Sequence, residues 1–233
     1  MHPTSVTGPT PPTVALIDLD GTLVDTLGDF VAALAATFAD LDLPPPQRDR
    51  VAQAIGQGSE HLLRTCLVDA GMTSEAAADR LPQAWASYQA HYRQINGRHA
   101  VVLPGVAAGL AALHGAGWRI ACVTNKPGEF ADALLKATGL RDPFALVLGG
   151  DALPLRKPHP APLLEACRRL GVGPAEAVMI GDSSNDAQAA RAAGCRSVLV
   201  RGGYNHGQPL ETAGADALAA TFSEAVSLLG IAA

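Results

Sequence analysis

The sequence predicts an α/β fold, a doubly wound parallel sheet interrupted once, near its start, by an all-helical segment. Three observations carry that expectation. Short aliphatic runs bounded by Gly, Asp, Asn or Pro recur along the chain, as strands buried on both faces do. Between them lie Ala- and Leu-rich stretches of about ten residues with helical spacing. One long interval, 27–98, keeps the helical spacing but contains no strand-like run.

Taken in order, residues 1–13 (MHPTSVTGPTPPT) have neither a basic n-region nor an apolar stretch, and read as a flexible Pro/Thr tail rather than a signal peptide. Val14–Ile17 is the first strand, running into Asp18-Leu19-Asp20-Gly21-Thr22. Phe30, Leu34 and Phe38 then fall at helical spacing, Pro44 to Pro46 interrupt, and helices are expected over Val51–Asp69 and Ser74–Tyr92. This interval reads as a cap domain over 27–98, hinged near Thr26–Leu27 and Gly97–Leu103, on a core made of 14–26 and 99–233. Strands follow at Ile120–Val123, Leu146–Leu148, Val178–Ile180 and Val198–Val200. Helices are expected over Gly105–His114, Glu129–Thr138, Ala161–Leu170 and Asp186–Ala193. Gly115, Gly139, Gly171 and Gly194 follow the last periodic residue of these helices, where a left-handed closing residue is wanted. The rhythm is that of a Rossmann-like core.

Composition narrows the function. The 233 residues, 48% of them hydrophobic, suffice for one core of ordinary size with a small inserted domain. Charged residues make up 17% and the net charge is −5 with no basic run, which argues against nucleic acid or an anionic membrane as the main partner. No apolar run approaches the ~18 residues of a spanning helix. Cys66, Cys122, Cys167 and Cys195 are far apart with no C-x-x-C pair, so they read as small buried apolar groups, neither disulfides nor a zinc knuckle. These features together suggest the cytoplasm. No dinucleotide fingerprint and no P-loop are present.

The chemistry gathers at the strand ends. Asp18 and Asp20 stand two apart and project from one face; such a pair repels, and a cation is the natural remedy. A second strand ends in Thr124-Asn125-Lys126 and another in Gly181-Asp182-Ser183-Ser184-Asn185-Asp186. In a parallel sheet these ends share one edge, where open α/β folds bind ligands. Asp18, Asp20, Asp182 and Asp186 thus converge with the Thr124 hydroxyl, an oxygen-rich set that suits Mg²⁺ beside a phosphate. In Arg156-Lys157-Pro158-His159-Pro160, two prolines stiffen the backbone so that Lys157 aims at the same edge. His159 is expected to begin the following helix.

These four elements, in this order, resemble the motifs of the haloacid dehalogenase superfamily, specifically its phosphatases with a helical cap. Asp18-Leu19-Asp20-Gly21-Thr22-Leu23-Val24-Asp25-Thr26 looks like the first motif, Thr124 the second, Lys157 the third, and Gly181 to Asp186 the fourth. The segments Val123 to Pro127, Gly149-Gly150-Asp151, Arg156 to Pro160 and Gly203 to Gly207 are similar to bacterial phosphoglycolate phosphatases. The resemblance implies that Asp18 attacks phosphorus to form an aspartyl-phosphate while Asp20 serves as acid and then base. It implies that Thr124 and Lys157 hold the transferring oxygens. Mg²⁺ would be bound by Asp18, the Asp20 carbonyl and Asp182, with Asp186 behind them.

The cap should choose the substrate. Ile55-Gly56-Gln57-Gly58-Ser59-Glu60-His61 looks like the family's specificity loop, with Arg64 close after it. Gly21, Asn125, Lys126, Gly56 and Arg64 are the expected substrate-binding residues; Arg64, His61 and Lys126 are the candidates for a substrate carboxylate. The expected substrate is a small phosphorylated metabolite, most simply 2-phosphoglycolate. A sugar phosphate such as an amino-sugar 6-phosphate, a phosphomutase of the β-phosphoglucomutase kind and a non-catalytic phospho-accepting module are the alternatives. Tyr204-Asn205-His206 either lines the site or forms a turn, with the turn preferred. Monomer and homodimer are both compatible with the sequence.

Overall fold

A six-stranded parallel sheet organises the computed structural model, which describes residues 12–232. Residues 1–11 of the expected tail lie outside the described residues. Strand β1 (Val14–Ile17) is aliphatic and buried throughout. A two-residue strand, β2 (Val24–Asp25), leads into helices α1 (Leu27–Asp40), α2 (Arg48–Ala54), α3 (Ser59–Asp69) and α4 (Ser74–Ile95). The return strand β3 (Val101–Val102) pairs antiparallel with β2. Beyond it come α5 (Val106–Gly115), β4 (Arg119–Val123), α6 (Gly128–Ala137), β5 (Phe144–Leu148) and α7 (Ala161–Leu170). The chain ends through β6 (Ala177–Gly181), α8 (Ser184–Ala193), β7 (Arg196–Val200), β8 (Ala217–Ala219) and α9 (Phe222–Ser227).

The strand order β5-β4-β1-β6-β7-β8 puts β1 in the interior, and the direction of winding reverses there. Such a reversal leaves a crevice at the carboxyl ends of the strands. Side chains alternate across the sheet. Ala15, Ile17, Ile120, Cys122 and Ile180 meet α5, α6 and α9 on one face. Val14, Leu16, Ala121, Val123 and Met179 meet α7 and α8 on the other. Burial on both faces explains why the strands read as unbroken aliphatic runs.

Helices α1–α4 have an apolar cluster of their own, built on Phe30, Leu34, Phe38, Leu62, Leu63, Tyr88 and Tyr92, to which the sheet portion adds Phe130 and Tyr204. The long helix α4 opens on Thr73, whose hydroxyl accepts from Ala76 N at 3.2 Å. It carries Pro82 on an exposed turn. The two chain crossings lie side by side as the β2–β3 ribbon, with Asp25 opposite Val101. Buried Asp29 ties the return segment down by accepting from Gly97 N at 2.6 Å and His99 N at 2.7 Å.

Three expectations need correction. The single helix expected over Val51–Asp69 is two, because Gly56 (φ 107°) and Gly58 (φ 93°) take left-handed conformations between α2 and α3. Gly115 closes α5 from within; the left-handed glycine is Gly117 (φ 78°), whereas Gly139, Gly171 and Gly194 do adopt positive φ. Strands β2, β3 and β8 were not anticipated. All four cysteines are free and buried. Among the described residues, no helix is long and apolar enough to cross a membrane.

Phe222 on α9 is 2% exposed, and its ring lies against the backbone of α5 at Gly109, where even a methyl group would collide with it. Phe222→Ala is expected to lower the unfolding free energy by about 3–5 kcal/mol. The nearby Leu228→Ala, at a side chain 47% exposed, should change it by less than about 0.5 kcal/mol. Urea titration of the two variants measures both.

Candidate active site

The carboxyl ends of β1, β4 and β6 set the site. Past β1, Asp18 stays in register by donating its N–H to Ile180 O at 2.9 Å. Its carboxylate is 9% exposed, and its Oδ1 lies 3.0 Å from Lys157 Nζ. Apart from that ion-pair contact, Asp18 Oδ1 is buried without a hydrogen-bond donor.

Lys157 Nζ also donates to Asp186 Oδ1 at 2.7 Å. The other oxygen of Asp186 accepts from Asp182 N at 3.2 Å, Ser183 N at 3.1 Å and Ser183 Oγ at 2.9 Å. Asp186, in the first turn of α8, thereby satisfies N–H groups at the helix start. Both of its oxygens are engaged, so it serves Lys157 and the backbone. Asp182 accepts from Thr22 Oγ1 and from Tyr204 N, each at 2.6 Å. Gly21 (φ 86°) and Gly203 pack so closely on this carboxylate that a side chain at either would collide with it.

Oxygens of Asp18, Asp182 and Asp186 lie within 4.8 Å of one another. Burial pushes the Asp18 carboxyl up to about 6, against the pull of Lys157 and with the help of Asp186 and Asp20. Burial likewise raises Asp182 well above the usual carboxylate range, and the charges of Asp18 and Asp186 add to it. Burial opposes the charge of Lys157, but Asp18 and Asp186 more than offset this and hold it protonated. A set of hard oxygen donors that repel one another, one of them without a donor of its own, fits a divalent cation such as Mg²⁺. Asp18 and Asp182 are the carboxylates with capacity left to face it, since each Asp182 oxygen accepts one hydrogen bond whereas one Asp186 oxygen accepts three.

Asp20 is placed differently. Its Oδ1 accepts from Thr26 Oγ1 at 2.7 Å and from Lys126 Nζ at 3.0 Å. Lys126 is buried, donates to Tyr92 OH at 2.5 Å, and lies over the rings of Phe30 (4.5 Å) and Tyr92 (4.8 Å). Thr124 is buried at the end of β4, its hydroxyl accepting from Lys126 N. Asn125 acts as a clamp: its Oδ1 accepts from Lys157 N at 3.0 Å, and its Nδ2 donates to Lys157 O and to Gly56 O, both at 2.8 Å.

Asp18, Asp20, Gly56, Thr124, Asn125 and Lys126 line one cavity of about 20 Å³, closed from above by Phe30, Ile55 and Leu62. Lys157, Asp182 and Asp186 stand around Asp18, and Gly21 backs Asp182. Arg64 is not brought there; it is half-buried on α3 with Glu60 Oε1 at 3.5 Å, and His61 pairs with Thr65. His159 accepts from Ala161 N at the start of α7.

Tyr204 takes a role that the sequence did not assign to it. Its hydroxyl accepts from Thr26 N and Leu27 N and donates to Asp25, at the point where the chain leaves β2 for α1. The expected turn is present only from Asn205, whose carbonyl accepts from Gln208 N. An aromatic residue inside a glycine-rich loop was the available signal.

Residues 15–200 match the model of a family described as haloacid dehalogenase-like hydrolase. The chain is 43% identical over 221 residues to a phosphoglycolate phosphatase of Thiobacillus denitrificans, covering 95% of this chain and 97% of that one. Its fold superposes on a crystal structure described as a predicted phosphoglycolate phosphatase from Haemophilus somnus, with TM-score 0.89, 31% identity and coverage of 95% and 99%. It also matches CbbY from Rhodobacter sphaeroides in complex with phosphate, with TM-score 0.78, 27% identity and coverage of 91% and 96%.

Two expectations come from the electrostatics. Asp18 and Asp182 bind protons more tightly in the folded chain than in the unfolded one, so their contribution favours folding at low pH and is lost as pH rises, for Asp18 through about 6. A divalent cation must displace those protons at low pH. Mg²⁺ should therefore raise the melting temperature more at about pH 7.5 than at about pH 5, as thermal melts in Mg²⁺ and in EDTA would show. Lys157→Met leaves Asp18 and Asp186 buried and unpaired, and should cost about 3–5 kcal/mol of stability in denaturant titrations.

Proposed function

The chain belongs to the haloacid dehalogenase-like hydrolases and is a phosphoric monoester hydrolase, and from that premise we propose that it converts 2-phosphoglycolate to glycolate and phosphate through an aspartyl-phosphate. The observation that carries this reading is the placement of Asp18: a buried carboxylate at the end of a central strand, beside Asp182 and Asp186 and held by Lys157.

Asp18 attacks phosphorus and expels the alkoxide; water then cleaves the acyl phosphate, which divides one difficult displacement into two easier ones. Asp20 gives its proton to the departing oxygen and takes one from the attacking water. Both of its hydrogen bonds fall on Oδ1, which leaves Oδ2 for that exchange. Lys157 and the Thr124 hydroxyl hold the transferring oxygens. Asp18, Asp182 and the carbonyl of Asp20 would hold Mg²⁺, which offsets the negative charge of the phosphoryl oxygens and the nucleophile when bound. Residues 27–98 act as a cap over the cavity. Its closure excludes water. The substrate is a small cytoplasmic metabolite.

The test is phosphate release from 2-phosphoglycolate and a panel of sugar phosphates, in Mg²⁺ and in EDTA. Mg²⁺-dependent turnover highest on 2-phosphoglycolate and abolished by Asp18→Asn is expected, with Asp20→Asn lowering kcat by about 10²–10⁴-fold. A preference for sugar phosphates would overturn the substrate and keep the mechanism. An isomerised ester without free phosphate would mark a phosphomutase.

A further inference from the structure

We propose that Lys126 is the specificity-determining residue of this site: its ammonium receives the carboxylate of the substrate while Lys157 and Thr124 hold the phosphoryl group. The inference rests on the reading of the site as a phosphatase for a small carboxylate-bearing ester.

Among the described residues, Lys126 is the only Lys, Arg or His that lines the cavity. Lys157 is already bound between Asp18 and Asp186. Helix α1 contributes apolar Phe30, and α3 contributes apolar Leu62 and the uncharged Ser59. A second anionic group in the substrate therefore has one cation to face.

The ammonium is also prepared for such a ligand. It has three N–H donors, and two are engaged, by Asp20 Oδ1 and Tyr92 OH. The flanking faces of Phe30 and Tyr92 stabilise its charge and fix the side chain, which is only 1% exposed. Little freedom remains to be lost when an anion arrives.

The position suits a two-carbon acid. In O–CH₂–COO⁻ one carbon separates the ester oxygen from the carboxylate. Asp20 must reach that ester oxygen, and Lys126 Nζ lies 3.0 Å from Asp20 Oδ1. A cation beside the proton donor is thus within reach of a carboxylate beside the leaving oxygen. Arg64, the other candidate, is 43% exposed and turned to Glu60.

The experiment compares kcat/KM of the wild type and Lys126→Met on 2-phosphoglycolate and on ethyl phosphate, an ester of the same length without the carboxylate. The fall on 2-phosphoglycolate should exceed the fall on ethyl phosphate by about 100-fold or more, and inhibition by glycolate should weaken in parallel. Equal falls on both esters, expressed in kcat, would overturn the inference and mark Lys126 as a residue that only positions Asp20. Should Lys126→Met lose its circular dichroism signature, Lys126→Gln supplies the same ratio. A wild type active on sugar phosphates but not on 2-phosphoglycolate overturns the proposed substrate and this inference together; activity on 2-phosphoglycolate with equal losses overturns this inference alone.

Discussion

Mutual repulsion among carboxylates at one edge of the sheet is the constraint on which the rest of this structure depends. Asp18, Asp182 and Asp186 are all buried within reach of one another, and taking such charges out of water is costly unless each finds a partner. Lys157 supplies two of those partnerships, and the Lys157 backbone is itself gripped by Asn125 on the neighbouring strand end. The start of α8 supplies further N–H donors to Asp186, and Thr22 and Tyr204 satisfy Asp182. The sheet order then has a plain rationale: β1 carries Asp18 in the interior, flanked on one side by the end of β4, whose Asn125 holds Lys157, and on the other by the end of β6 with Asp182 and the start of α8.

The same polar groups reach into the helical segment. Asn125 and Asn185 both donate to the carbonyl of Gly56 between α2 and α3. Lys126 leaves the sheet edge to sit between two aromatic rings of α1 and α4. Tyr204 joins Asp182, through its backbone, to the beginning of α1, through its hydroxyl. Position of the helices and charge balance at the edge are therefore set by a shared group of residues, and a change in one is felt by the other.

Much of this was legible in the sequence, for physical reasons that differ by element. The strands of the sheet interior announce themselves because burial on both faces demands unbroken aliphatic runs, and Asp18, Thr124 and Asp182 follow directly from where those runs stop, whereas Lys157 lies in the loop beyond β5 and is marked by its flanking prolines. The ribbon of β2 and β3 has two residues per strand, too few for any periodicity, and its existence depends on residues 24 and 102 meeting in space. Arg64 looked available because a sequence does not say which way a helix turns; its contact with Glu60 is a matter of the helical period at i, i+4. The bonding role of Tyr204 was not legible because its partners lie far away in the chain. The setting of Lys126 was hidden for the same reason: its aromatic neighbours, Phe30 and Tyr92, come from two helices, α1 and α4, far from it in the chain.

The central place of β1 has a consequence for how the chain folds during synthesis. Val14 pairs with Arg119 on one side and Ala177 on the other, so the strand that leaves the ribosome first waits longest for its neighbours. In that interval α1–α4 are completed, and their apolar cluster draws almost entirely on residues already made. Contacts close in sequence form sooner than distant ones. The inserted helices thus give the nascent chain an early folded body, and the sheet assembles afterwards around a strand that was translated before it.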